Sequence, residues 1–158
     1  MTTRPLRSVL VPVRMLMLAG AFGIIGAPTR AAPAPAPAAS IRQWHGAWGG
    51  GNGFYACAIR DARAWKVLWE RVRRSPPCRL DPASTMGVFI ALGKRPTGGY
   101  RVDVVSASAV DGHLVVRYRE IGPSRNTYVI EAITHPWAMA LLPRSNLPVV
   151  FRPVGSSR

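Results

Sequence analysis

The sequence predicts an α+β fold: a mainly antiparallel β-sheet with one packed helix, in a single small domain. Two observations on periodicity predict it. Apolar residues recur with a helical period in one early stretch, and with a period of two in several short runs after it. The third observation is length, because residues 41–154 amount to one domain of ordinary size.

The N-terminus has the composition of a secretory signal peptide over residues 1–31. A basic, acid-free start precedes an uncharged apolar run, Met15–Ala27. These 13 residues are fewer than the roughly 20 that a membrane-spanning helix needs. We place cleavage after Ala31, with Ala32 as the alternative site and an uncleaved anchor as the competing interpretation. We therefore expect a periplasmic or secreted protein with no stable membrane insertion after cleavage.

Residues 32–40 form an Ala/Pro-rich linker, and the predicted domain occupies residues 41–154. Without residues 1–31 the chain has 15 Arg and two Lys against seven acidic residues, a net charge of +10. Such a basic protein attracts acidic partners, an acidic envelope surface among them. The plainer interpretation is a set of solvated charges. We expect no nucleic acid partner outside the cytoplasm.

The first half of the domain contains two strands and the helix. Ile41–Trp48 and Phe54–Ile59 are the strands, and the glycine-rich stretch Gly49–Gly53 is the turn between them. Asp61 is the expected helix cap. The helix has one apolar stripe at helical spacing, which predicts a core-facing side. The residues of this stripe are Trp65, Leu68, Trp69 and Val72.

The second half consists of strands. Met86–Leu92 is almost wholly apolar, as expected for a strand that is buried on both faces. Alternating runs predict further strands around residues 100–104, 114–118 and 128–133. Asp111-Gly112 is a short hairpin turn between two of them. Val149–Phe151 is the last predicted strand.

The two cysteines of the domain, Cys57 and Cys78, are 21 positions apart. In an exported protein we expect them to form a disulfide bond. Closing a loop of this size stabilises the fold by about 3 kcal/mol in the chain-entropy treatment. The alternatives are two free thiols or a pair of metal ligands, although a metal site needs more ligands at short spacing.

No motif for an active site is found in the sequence. The nucleophile elbow, the zinc-protease helix and the dithiol motif are all missing. The histidines His45, His113 and His135 are far apart, and the seven carboxylates are scattered. We therefore expect no catalytic residues, no metal and no cofactor. An enzyme whose site is assembled from distant residues remains an alternative.

Two loop motifs are candidate partner-binding sites. Arg95-Pro96-Thr97-Gly98-Gly99-Tyr100 joins two predicted strands, and its Pro and Gly residues favour a rigid protruding loop. His135-Pro136-Trp137 is the second motif, in which an exposed Trp beside a rigid turn would be an interface anchor. The alternative is that the first motif only shapes a hairpin connection and that Trp137 is a core residue.

These motifs carry a resemblance to a known family. The segment Phe89–Tyr100 (FIALGKRPTGGY), followed by an alternating strand, resembles the signature of the C-terminal domain of the protease complex subunit PrcB. Ile133–Arg144 (ITHPWAMALLPR) resembles that family's second block, and the similarity extends over about residues 54–151. The family pattern often has an acidic–aromatic pair before the first strand, whereas here Asp81 precedes Pro82.

The resemblance implies an exported bacterial accessory protein that associates with and supports a protease, and is not itself a peptidase. A second hypothesis is a peptidase inhibitor, because Pro96–Tyr100 and Pro136-Trp137 are similar to loop motifs of chagasin-type cysteine peptidase inhibitors. An inhibitor of this kind needs both loops at the same end of the sheet.

Overall fold

The computed structural model describes residues 41–155, so the predicted signal peptide and linker lie outside the described residues. The elements are β1 (Gln43–Gly46), β2 (Tyr55–Ile59), α1 (Ala62–Arg71), β3 (Thr85–Ala91), β4 (Arg101–Val110), β5 (His113–Ile121), β6 (Trp137–Pro143) and β7 (Val149–Pro153). The α+β class predicted from the sequence is confirmed. Among the described residues, no helix has the length and apolar character that crossing a membrane requires.

The strands form two sheets, where the sequence predicted one. The first sheet has four antiparallel strands in the order β1-β6-β3-β2. The second has the order β4-β5-β7, with β4 and β5 antiparallel and β5 and β7 parallel. Strand β3 explains why there are two sheets. It is apolar on both faces, so each face has to pack against another layer of the structure.

One cover of β3 is the second sheet. Met86, Val88 and Ile90 form a single buried cluster with side chains from β4, β5 and β6. The partners from β4 and β5 are Val102, Val104, Leu114 and Val116. The alternation predicted for these two strands is thereby confirmed, and their apolar faces close the sandwich.

The other cover of β3 is helix α1. Phe89 of β3 and Trp137 of β6 pack against the buried stripe of α1, which confirms the helix face predicted from the sequence. Gly87 leaves room for this packing, because a Cβ atom there would lie 2.8 Å from the Trp65 ring. A glycine within a central strand thus marks the place where an indole approaches the backbone.

Helix α1 begins where the sequence predicts. The Asp61 side chain accepts a hydrogen bond of 2.7 Å from the Ala64 amide, as an N-cap residue does. The helix ends at Arg71 with Val72 as the C-cap, and Arg73 has a left-handed backbone with φ of 55°. Asp111 and Gly112, with φ of 47° and 74°, form the predicted hairpin turn between β4 and β5.

The prediction of a strand at residues 128–133 is wrong. This stretch belongs to an irregular segment, residues 122–136, whose one ladder contact is an isolated bridge between Thr134 and Arg95. Tyr128 is fully exposed, and Ile130 and Ile133 are about half exposed. The alternating pattern is present, but the segment lies against a glycine-rich loop that offers no strand edge for a ladder.

The predicted bond between Cys57 and Cys78 is not formed, and both residues are free thiols. Cys57 interacts with Tyr55 and Arg71, at the C-terminal end of α1. Cys78 lies near the other end, where its carbonyl accepts a hydrogen bond of 2.9 Å from the Trp65 indole. The two cysteines therefore lie near different ends of the helix that their bond was expected to clamp.

Candidate partner-binding surface

The structure brings the two predicted loop motifs together at one end of the molecule. Arg95 and Thr134 exchange backbone hydrogen bonds of 2.8 and 3.0 Å. The buried Thr134 hydroxyl donates a further hydrogen bond of 2.8 Å to the Thr97 carbonyl. We call the surface formed by Arg95–Tyr100 and residues 122–134 the loop face.

Packing within the chain explains the two consecutive glycines of the first motif. The Gly98 amide donates a hydrogen bond of 2.9 Å to the Ile130 carbonyl, and a Cβ atom at Gly98 would lie 2.7 Å from the Ile130 side chain. Gly99 has a φ of 80°, and its Cβ would lie 2.8 Å from Val129 and 2.9 Å from Pro123. These glycines allow residues 122–130 to lie directly on the loop.

Arg95 anchors the loop face to the second sheet. Its Nε and Nη2 atoms donate to the two carboxylate oxygens of Glu120 at 2.8 and 3.0 Å. Its Nη1 atom donates to the Leu92 carbonyl at 2.9 Å. The hydrogen bond that Arg95 donates to Glu120 raises the pKa of Arg95, so the guanidinium remains charged. This candidate binding residue thus has a positioning role in the structure.

The second motif is largely internal. Trp137 is 1% exposed, and its indole donates a hydrogen bond of 2.7 Å to the Trp48 carbonyl. Its ring meets Trp69 edge-to-face at a centroid distance of 5.8 Å. Pro136 is buried and His135 is half-buried. The structure thus places Trp137 in the core, and its ring is not available as a surface anchor.

Exposed apolar side chains of the loop face come from the segment between the motifs. Tyr128, Ile130 and Ile133 all project from it. Sequence reasoning missed these residues because their alternation was interpreted as a strand. The stretch Gly122-Pro123-Ser124, which favours a loop, was the available signal. Three large apolar side chains exposed within residues 128–133 make this segment a candidate protein interaction site.

A histidine–carboxylate contact links the two sheets away from the loop face. The Nε2 atom of His45 on β1 lies 2.8 Å from Oδ1 of Asp103 on β4, without hydrogen-bond alignment, and the two form an ion pair only when His45 is protonated. Burial lowers the pKa of His45 below its ordinary value of 6.5, although the Asp103 carboxylate opposes this effect. Gln43 bridges the same strands through its side chain, which accepts a hydrogen bond of 2.8 Å from the Val104 amide.

Metal-ligating and nucleophilic groups are dispersed over the described part of the chain. Within residues 41–155, no three His, Cys, Asp or Glu side chains are grouped so that they could hold a metal ion. Burial raises the pKa of the Cys57 thiol, which disfavours the reactive thiolate. His113 contacts the Asp111 backbone carbonyl at 2.9 Å. Neither arrangement provides an activated nucleophile.

The fold and the loop face together define a small three-layer α+β domain that presents a partly apolar loop surface at one end. Residues 86–143 match the family model described as PrcB C-terminal. This segment runs from β3 to β6 and contains both loop motifs, and its match is to the same family that the resemblance indicated. No curated protein and no solved structure matches the chain.

Proposed function

We propose that this protein is an exported, non-enzymatic accessory protein that binds a protease through the loop face. The observation that carries the proposal is the exposure of three large apolar side chains, Tyr128, Ile130 and Ile133, on one short segment within the family-matched residues. The family supports the protease as the class of partner, since its founding member is a protease complex subunit.

The loop face is ordered by the rest of the domain, which favours binding. The Thr134 hydroxyl joins the two halves of the face, and the Arg95–Glu120 ion pair anchors the first half to β5. Such preorganisation lowers the entropic cost of association, because the loops do not have to become ordered on binding. An exposed Tyr beside aliphatic side chains supplies contact area at little conformational cost.

A pull-down from an envelope extract with the tagged protein tests this proposal. We expect Ile130→Thr and Tyr128→Ser to weaken capture of the protease by tenfold or more, as for central interface residues that contribute about 1.4 kcal/mol or more. Val67→Thr on α1 is the matched control, because Val67 and Ile130 are both 53% exposed. Equal capture by the Ile130 and Val67 variants would remove the loop face from the proposal.

The inhibitor function is the second candidate, and one observation favours it: the two loop motifs are neighbours in the fold, because Arg95 pairs with Thr134, which directly precedes the second motif. Against it, Trp137 is buried, so the second motif does not present its ring to a protease cleft. Titration of a papain-type peptidase with the purified protein separates the two functions. Stoichiometric inhibition that Thr97→Ala abolishes would favour the inhibitor, whereas we expect peptidase activity to remain.

A further inference from the structure

A cleft of about 590 Å³ opens between the glycine-rich turn after β1 and the C-terminal end of α1. We call it the arginine cleft, and its lining includes Trp48, Arg71, Arg73, Arg74 and His135. None of these residues belongs to the loop face. The cleft is therefore a separate concavity, and the surface that it offers is basic and aromatic.

Backbone contacts hold the walls of the cleft together. The Gly50 amide donates a hydrogen bond of 3.1 Å to the His135 carbonyl, and the His135 amide donates one of 2.8 Å to the Ala47 carbonyl. Gly49 has a φ of 98°, and a Cβ atom there would lie 3.0 Å from the Val72 Cα. The turn thus lies closely against the end of the helix, so the cleft exists before any ligand enters it.

The positive charge of the cleft is not neutralised within the described part of the chain. Lys66, Arg95 and Arg101 each form an ion pair with a carboxylate, whereas no ion pair within residues 41–155 involves Arg71, Arg73 or Arg74. The C-terminus of α1 contributes about half of one negative charge, which offsets only a small part of three guanidinium groups. A carboxylate that entered the cleft would therefore meet a strong positive potential.

Two of the guanidinium groups are oriented by aromatic rings. Arg71 lies over the Tyr55 ring at 5.4 Å, and Arg74 lies over the Trp137 ring at 5.8 Å. Stacking of this kind holds the plane of the guanidinium while its N–H groups stay at the edge. Oriented guanidinium groups suit carboxylates, which accept two parallel hydrogen bonds from one Arg.

We propose that the arginine cleft binds an acidic peptide segment of the protein partner. This inference rests on the proposed function, since the segment belongs to the same partner. The Trp48 side chain, 58% exposed on the cleft wall, supplies an apolar contact for a residue that flanks the carboxylates. The cleft volume of about 590 Å³ admits several side chains, and a single phosphate group would leave most of it empty.

The shape of the site favours a peptide over a membrane or a nucleic acid. A lipid surface is flat on this scale and meets protruding residues, whereas these guanidinium groups line a concavity. Single-stranded nucleic acid binds along extended basic grooves with several aromatic platforms, while this cleft has one exposed indole. A short acidic stretch with one apolar residue has the complementary charge and size.

Fluorescence anisotropy with the purified full chain tests the proposal. The probe is a fluorescein-labelled pentapeptide with four glutamates around one phenylalanine. We expect the triple variant Arg71→Gln, Arg73→Gln and Arg74→Gln to raise its Kd by at least about tenfold, because charge-assisted hydrogen bonds are lost. The control with equal net charge is Arg63→Gln, Arg117→Gln and Arg152→Gln, for which we expect less than about a threefold change.

Three outcomes would overturn the proposal. They are an equal loss of affinity in both triple variants, equal binding of a pentapeptide with glutamine for glutamate, and cleft-dependent binding of inorganic phosphate or oligo-dT as tight as that of the acidic peptide. Thermal unfolding checks that each variant is folded. If the triple variant unfolds, the single variant Arg73→Gln takes its place. Arg73 stacks on no aromatic ring among residues 41–155, so its replacement removes charge without removing a stacking contact.

The result of the peptide-binding assay can be distinguished from the result of the pull-down that tests the proposed function. Capture of a protease that depends on Ile130, without binding of the acidic peptide, would refute the cleft inference alone. Peptide binding that depends on the arginine cleft, without capture through Ile130, would refute the assignment of the loop face instead.

Discussion

Glycine and tryptophan residues show best how single positions determine this structure. Consecutive glycines in the first loop motif were predicted to serve the turn geometry or a partner. The structure gives a further reason, because residues 122–130 of the same chain pack on them. Sequence reasoning could not find this contact, since it depends on a segment about 30 positions away.

The two glycines should differ in their response to alanine. Gly99→Ala forces a side chain onto a φ of 80° and against Val129 and Pro123, so we expect a loss of about 1–2 kcal/mol in the free energy of unfolding. Gly98→Ala places a Cβ atom 2.7 Å from Cγ1 of Ile130 but adds no left-handed strain, since Gly98 does not have a positive φ, so we expect a smaller loss of about 0.5–1 kcal/mol. Urea unfolding monitored by Trp fluorescence measures both, and the reverse order would contradict this account.

The buried tryptophans differ in their polar atoms. The Trp65 indole donates a hydrogen bond of 2.9 Å to the Cys78 carbonyl, whereas the Trp69 indole nitrogen is buried and has no acceptor within residues 41–155. We expect Trp69→Phe to be less destabilising than Trp65→Phe by about 1–3 kcal/mol. Only Trp65→Phe leaves the Cys78 carbonyl without its hydrogen-bond donor. Both changes remove a similar indole, so each controls for the other in chemical denaturation.

Elements differ in how well their local sequence determines them. Helix α1 and strand β3 could be predicted because an apolar stripe with an Asp cap, and a run that is apolar on both faces, are local patterns. Residues 128–133 show the same alternation as a strand but lack a neighbouring edge. Whether an alternating run becomes a strand depends on what lies beside it, which the sequence does not contain.

Sheet membership is likewise a property of the tertiary structure. β4 and β5 were correctly predicted as strands, but nothing local separates them from the sheet that contains β3. The candidate site shows the same limit. Arg95–Tyr100 could be predicted from its Pro and Gly residues, whereas the exposure of Tyr128, Ile130 and Ile133 follows only from the irregular structure of their segment.

At the scale of the whole molecule, the burial of His45 between the two sheets makes stability depend on pH. The lowered pKa of His45 means that the folded protein binds a proton less readily than the unfolded chain. Acidification therefore favours the unfolded chain. The free energy of unfolding should fall as the pH decreases through about 6.5, and this loss should level off below the lowered pKa of the folded state.

Unfolding in urea between pH 7.5 and 5 measures this effect. We expect His45→Gln to flatten the pH dependence in this range, because the titrating group between the sheets is removed. His113→Gln is the control, since His113 is exposed at the hairpin turn and does not join the sheets. An unchanged slope in the His45 variant would assign the pH dependence to other groups.

The register of the first sheet has a consequence for how the domain is made. β1 pairs with β6, so that Gln43 lies opposite Ala140. A chain that emerges N-terminus first therefore cannot complete its largest sheet until nearly all of the domain has been synthesised. Closing such long loops slows folding, because the entropy is lost before the contacts form. The nascent chain should thus remain unfolded for most of its synthesis, which is the state in which a polypeptide can be threaded through a narrow channel.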